Sequence, residues 1–167
     1  MDFSIPLLKE LVSEFNFLRP DDLELIIKQV EKVELPKKAH YVRAGDQNIN
    51  IALVQKGLLR AYYIKENGEE VNSSFRWEGK IVGAYECIIQ SKASSQYIQA
   101  LEDSVLLQIN YPKLEQLYEN NRNLEKAGML LLQKTLAEAL QKIESFIVDN
   151  PETRYLKILK EYPDLNQ

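Results

Sequence analysis

Apolar residues follow a helical rhythm at the two ends of the chain and a two-residue rhythm between them. Over about the first forty residues the helical spacing dominates. Ser4 can cap a helix, Pro6 falls in its first turn, and Leu7, Leu8, Leu11, Val12 and Phe15 recur on one face. Pro20-Asp21-Asp22 ends that segment and caps a second, whose stripe is Leu23, Ile26, Ile27 and Val30. After Val33 the period becomes that of a strand. Short strands are expected at Val33 and Leu35, at Tyr41–Arg43, at Ile49–Gln55 and, after a turn at Lys56-Gly57, at Leu58–Ile64. Asn67-Gly68 is a hairpin turn, since both residues tolerate positive φ. Strands at Val71–Trp77, Ile81-Val82, Tyr97–Leu101 and Val105–Ile109 complete the set, with Gly79 and Gly83 bracketing the short one. About eight short strands at regular spacing indicate a closed or two-sheet antiparallel structure.

The helical period returns at Pro112 and is expected to run to about Val148. Met129, Leu132, Leu136, Ala139, Ile143 and Phe146 alternate spacings of three and four, the seam of a coiled coil. Leu124, Leu131, Leu140 and Ile147 form a second stripe on an adjacent face. One stripe suffices to pack on the β structure, so two stripes favour a further partner, a second copy of the chain. Pro151 ends the helix, and residues 152–162 form another short one before Pro163.

Composition narrows the chemistry. One cysteine, Cys87, excludes an internal disulfide and any cysteine-based metal cluster. One histidine, His40, excludes HExxH and multi-histidine sites such as those of cupin enzymes, and reads as a solvated surface residue. No nucleophile–base pair or paired acidic motif stands out, so no catalytic residues, metal site or required cofactor are expected and the chain is not an enzyme. The net charge of −4 argues against direct nucleic-acid binding. No apolar run approaches the roughly 20 residues of a membrane span, and no secretory signal opens the chain, so the cytoplasm is the expected compartment.

The order of two helices, eight short strands and one long helix goes with three motifs: Val42-Arg43-Ala44-Gly45-Asp46, Lys56-Gly57-Leu58-Leu59-Arg60 and Asn67-Gly68-Glu69-Glu70. Together they resemble the cyclic-nucleotide-binding domain of Crp/Fnr transcription regulators. Asn150–Leu156 with Tyr162–Leu165 resembles the lead-in to those regulators' winged helix-turn-helix domain. The resemblance implies a phosphate-binding cassette: Gly-Glu at the start of a short helix, then Arg-Ser or Arg-Thr some ten residues later. The Glu accepts from the ribose hydroxyl and the Arg pairs with the cyclic phosphate.

Here the cassette is degenerate. Gly83 is kept, but Ala84 stands where the Glu is expected and Ser94 where the Arg is expected, while Ser95 keeps the hydroxyl. Tyr85, Glu86 and Cys87 fill the short helix start, where Glu86 and Cys87 are either ligand contacts or, for Cys87, a small buried hydrophobe. Backbone amides after Gly83 and the point charge of Lys92 remain for an anion. Tyr62, Tyr63 and Tyr97 are either pocket-lining aromatics or ordinary core and surface residues; Gln133 and Thr135 either reach a ligand or are simply exposed. A single cysteine also cannot hold an iron–sulfur cluster, which excludes an Fnr-like oxygen sensor for this chain.

The resulting expectation is an α+β, mainly β, fold: a double-stranded β-helix or jelly-roll of about eight antiparallel strands, with N-terminal helices and a long C-terminal dimerisation helix. Residues 1–111 would form the helices and roll, 112–149 the dimerisation helix, and 150–167 the start of a connection to a DNA-binding domain absent from this chain. A recognition helix needs about twenty more residues. Function would be small-effector sensing, of a cyclic nucleotide or another small anion, signalled through a homodimer. DNA would be reached only through that further domain. The alternative is a stand-alone dimerising module with a degenerate ligand site.

Overall fold

The computed structural model describes residues 15–161. The helix expected from Ser4 onward lies outside the described residues. Helix α1 (Pro20–Ile27) opens with Pro20 in its first turn. Strand β1 (Glu31–Leu35) follows, so the helical segment ends near residue 30 rather than 40. Then come β2 (His40–Val42), β3 (Asn50–Lys56), β4 (Leu59–Ile64), β5 (Glu70–Arg76), β6 (Ile81–Gly83), the short helix α2 (Tyr85–Gln90), β7 (Tyr97–Ala100) and β8 (Ser104–Asn110). Helices α3 (Tyr111–Asn120), α4 (Arg122–Val148) and α5 (Pro151–Glu161) complete the chain.

The eight strands form two antiparallel four-stranded sheets, ordered β1-β8-β3-β6 and β2-β7-β4-β5. Val42, Leu59, Ala61, Ile98 and Ala100 from one sheet meet Leu35, Ala52, Val54, Val82 and Leu106 from the other in a single core. Leu59, Ile98 and Leu106 are wholly enclosed, and burial of each contributes about 1.5–3 kcal/mol. β3 is apolar on both faces for a reason: Leu53 and Leu107 point away from this core and are covered by Ile27 and Val30. The expected jelly-roll, mainly β with a long C-terminal helix, is the fold of the chain.

Two turns fix the hairpins. Gly57, between β3 and β4, has φ +99°, and a Cβ there would lie 2.3 Å from Ser104 Oγ; only glycine satisfies both constraints. Gly68 takes φ +82° at the β4–β5 turn, as Asn67-Gly68 implied.

The helix expected to run unbroken from Pro112 to Val148 is two helices. Asn121 is extended (φ −145°, ψ 104°), and its side-chain oxygen accepts from the amides of Asn123 and Leu124 to cap α4. The break is tied to α1. Asp22, only 1% exposed, accepts from the Asn121 and Asn123 side-chain amides at 2.7 and 2.9 Å and from the Arg19 backbone at 2.9 Å. Burial opposes its charge, but these bonds together with the Arg19 side chain outweigh it and hold the carboxyl well below the usual carboxylate range.

The chain divides into two compact units, Met1–Leu124 and Glu125–Gln167. In the second, α4 and α5 meet at a hydrogen-bonded corner. Asp149 accepts from Ser145 and Lys157, Arg154 donates to the Asp149 carbonyl, and Asn150 caps α5 through the Thr153 amide. Arg154 also lies 4.8 Å over the Phe146 ring. Among the described residues no helix is long and apolar enough to cross a membrane.

Candidate functional site

The Gly-Asp motif anchors the cassette. Asp46 closes its own turn by accepting from the Arg43 amide at 2.7 Å. The Asp46 carbonyl then receives the Ser94 amide, and the Gly45 amide donates to the Ser94 carbonyl, each at 2.8 Å. The loop before β3 is thereby stitched to the loop before β7. Cys87, buried on α2, points its thiol at the same Asp46 carbonyl (3.5 Å); burial pushes the thiol pKa up, so it is a small core residue rather than a reactive thiolate.

The cassette satisfies itself. Glu86 Oε1 accepts from Ser94 Oγ (3.2 Å), the Ser95 amide (3.0 Å) and Ser95 Oγ (3.3 Å). Desolvation opposes the charge, yet hydrogen bonds from its own amide, the Ser95 amide and the two hydroxyls hold the Glu86 carboxyl below its ordinary value. Ser94 Oγ also lies 3.0 Å from the Gln96 carbonyl, so its one proton is divided between two acceptors, and the chain's own oxygens take the donors of both serines. Lys92 is exposed, and its backbone amide bonds the Glu86 carbonyl. Ala84 is wholly buried in the core. At Gly83 a Cβ would sit 3.2 Å from the Asn50 carbonyl, so a larger residue there crowds β3.

A cleft of about 100 Å³ opens beside the cassette, bordered by Ser74, Arg76, Gly83, Tyr85, Gln96 and Ile98 among others. Of the cassette residues singled out by sequence, only Gly83 and Tyr85 border it; Ala84, Glu86, Cys87, Lys92, Ser94 and Ser95 do not. Tyr62 and Tyr97 do not line it either. They stack on the opposite face of the β4 sheet with ring centroids 5.1 Å apart. His40 bonds the Tyr62 hydroxyl at 3.0 Å, and the Arg60 guanidinium covers the Tyr62 ring at 4.1 Å. His40 is therefore half-buried, not a solvated surface residue; burial is the largest cause lowering its pKa. Tyr63 is exposed.

The cleft residue that sequence reasoning missed is Arg76. It lies directly opposite Leu59 across the β4–β5 ladder, and Ser74 lies opposite Ala61. Leu59 and Ala61 face the core, so Arg76 and Ser74 share the inner face. The responsible feature is a bulge at Ser73: Tyr62 pairs with Asn72, but Ala61 pairs with Ser74. Simple alternation from the Asn67-Gly68 turn would point Arg76 outward.

On α4, Met129, Leu132, Leu136, Ile143 and Phe146 are all more than half exposed, and Ala139 is exposed with them. The second stripe divides: Leu124 is buried, Leu131 half-buried, Leu140 and Ile147 exposed. Gln133 is exposed, while the Thr135 hydroxyl donates to the Leu131 carbonyl of its own helix.

Residues 32–121, more than half of the chain, match the Cyclic nucleotide-binding domain family. The chain belongs to that family, in its Crp/Fnr branch. It is 30% identical over 149 residues to the "Anaerobic regulatory protein" of Aggregatibacter actinomycetemcomitans, covering 81% of this chain and 55% of the relative. The "Fumarate and nitrate reduction regulatory protein" of Vibrio cholerae is 29% identical over the same length, covering 81% and 57%. These relatives are regulatory proteins, and the chain spans about half of their length. The fold is also that of a cyclic nucleotide-binding domain from Methylobacillus flagellatus, with TM-score 0.75 at 15% identity over 87% of this chain and 83% of that one. An iron–sulfur cluster held by four thiolates would find one ligand here, the buried Cys87. The donor set does not fit it.

Proposed function

We propose that the chain is the effector-sensing part of a Crp/Fnr-type transcription regulator, working in the cytoplasm as a parallel homodimer. The observation that carries this reading is the exposed seam of α4, in the same chain as a family ligand-binding roll. Five large apolar side chains at alternating three- and four-residue spacing need a partner, and a second copy supplies a self-complementary one about a two-fold axis.

Residues 1–111 would sense, 112–149 pair, and 150–167 lead toward the DNA-reading element. The roll would take a small effector, and its occupancy would bias two arrangements of the α4 pair. Cyclic AMP fits poorly as that effector. The expected acid and arginine are Ala84 and Ser94, and the serine donors are held by Glu86 and the Gln96 carbonyl. Two missing charge-assisted contacts at about 1.5–3 kcal/mol each weaken binding by a few powers of ten.

Sedimentation equilibrium at micromolar concentration tests the reading. A dimer that Leu136→Asp with Ile143→Asp converts to a folded monomer supports it. A wild-type monomer at high micromolar concentration contradicts it.

A further inference from the structure

We propose that the cleft of the β-roll binds a small oxyanion, a carboxylate or phosphate group, through Arg76, with Ser74 and Gln96 as neutral donors. This rests on the sensor reading and names the ligand chemistry of its site. Arg76 projects from the inner face of β5 beside Leu59, an inward position shared with the enclosed Ile98 and Ala100. A charged group turned toward an apolar interior requires a counter-charge or a full set of acceptors. Among the described residues Arg76 makes one hydrogen bond, from Nη1 to the neighbouring Phe75 carbonyl at 3.0 Å.

The nearby carboxylates are engaged elsewhere. Glu70 pairs with Arg60 at 2.7 Å, Glu78 accepts from the Gly57 amide, and Glu86 closes the cassette. Among the described residues no carboxylate pairs with the Arg76 guanidinium, which borders the cleft. Its fork of donors matches two oxygens of one carboxylate or phosphate.

Two neutral donors share the same wall. Ser74 follows the bulge and pairs with Ala61. Gln96 immediately precedes β7. Both border the cleft. Its volume of about 100 Å³ lies below the roughly 300–1,000 Å³ typical of drug-sized ligands, which favours a compact anion over a nucleotide.

Calorimetry on the whole chain with inorganic phosphate, succinate and cyclic AMP, against sodium chloride at matched ionic strength, tests the assignment. Saturable binding of phosphate or succinate is expected, with no such response to chloride; which of the two binds separates a tetrahedral from a planar ligand. Arg76→Leu, an apolar side chain among apolar neighbours, and the near-isosteric Arg76→Gln should each weaken that binding at least tenfold with circular dichroism unchanged. Should Arg76→Leu not fold, Arg76→Gln carries the comparison. Absence of saturable binding of either oxyanion, or affinity unchanged in the variants, overturns the proposal. Cyclic AMP binding that survives loss of Arg76 overturns it too, yet leaves the sensor reading standing.

Discussion

In the β-roll, Leu59, Ile98 and Leu106 are enclosed by their own chain, whereas on α4 Leu136 and Ile143 remain 58% and 56% exposed. The residue types are alike; the neighbours differ. The two sheets supply each other with a second apolar layer, so the roll completes its core within one chain. A lone helix beyond Leu124 offers one face and has no such layer. The roll closes its core on itself, whereas the α4 seam stays open in the single chain. In the proposed sensor the roll would hold the effector and the open seam would transmit the result.

The contrast can be broken most severely at the seam. Leu136→Asp with Ile143→Asp places charges in an apolar interface, which should weaken association at least a thousandfold, about 4 kcal/mol or more. Thermal unfolding of the roll should be little changed in the monomer, and sedimentation with circular dichroism reads both quantities. Next comes the polar node that holds α1 to the start of α4. Asp22→Ala removes the acceptor of Asn121 and Asn123 and should cost about 3 kcal/mol in urea unfolding. A loss under about 0.5 kcal/mol would show that the node is not needed.

Acid sharpens the same point. The Asp22 carboxyl is lowered by folding, so its contribution is complete above the unfolded carboxylate range near pH 4 and fades as pH falls below it. Wild-type protein should lose stability more steeply than Asp22→Asn between about pH 4 and pH 2.

Much of this was legible in the sequence. The strands, the Asn67-Gly68 and Lys56-Gly57 turns and the α4 seam all follow from local rules of period and turn chemistry. Three features were not, and each depends on a contact or register that periodicity does not report. Asn121 breaks an otherwise helical stretch because its side chain caps α4 and bonds Asp22. Glu86 occupies the cassette donors because the chain folds Ser94 and Ser95 back upon it. Arg76 turns inward because one extra residue at Ser73 reverses the alternation. In an ordered ladder a single bulge changes which chemistry faces the ligand.

The cassette yields the smallest expected effect. Glu86→Gly removes the acceptor that holds the Ser95 amide and hydroxyl, and cyclic AMP affinity should rise about tenfold. Equal affinity with and without Glu86 would show that its carboxylate does not compete for those donors.

The central claim, a parallel helix pair biased by occupancy of the roll, is tested most directly by one distance. A spin label at Glu144→Cys, in a Cys87→Ala background, reports the separation of identical positions on the two copies of α4. Helix axes packed in parallel at roughly 10 Å place those labels close together. A single short interspin distance is expected, shifting or narrowing when the phosphate or succinate that binds the roll is added. Absence of dipolar modulation at high micromolar protein, or a distance indifferent to a bound anion, would contradict it.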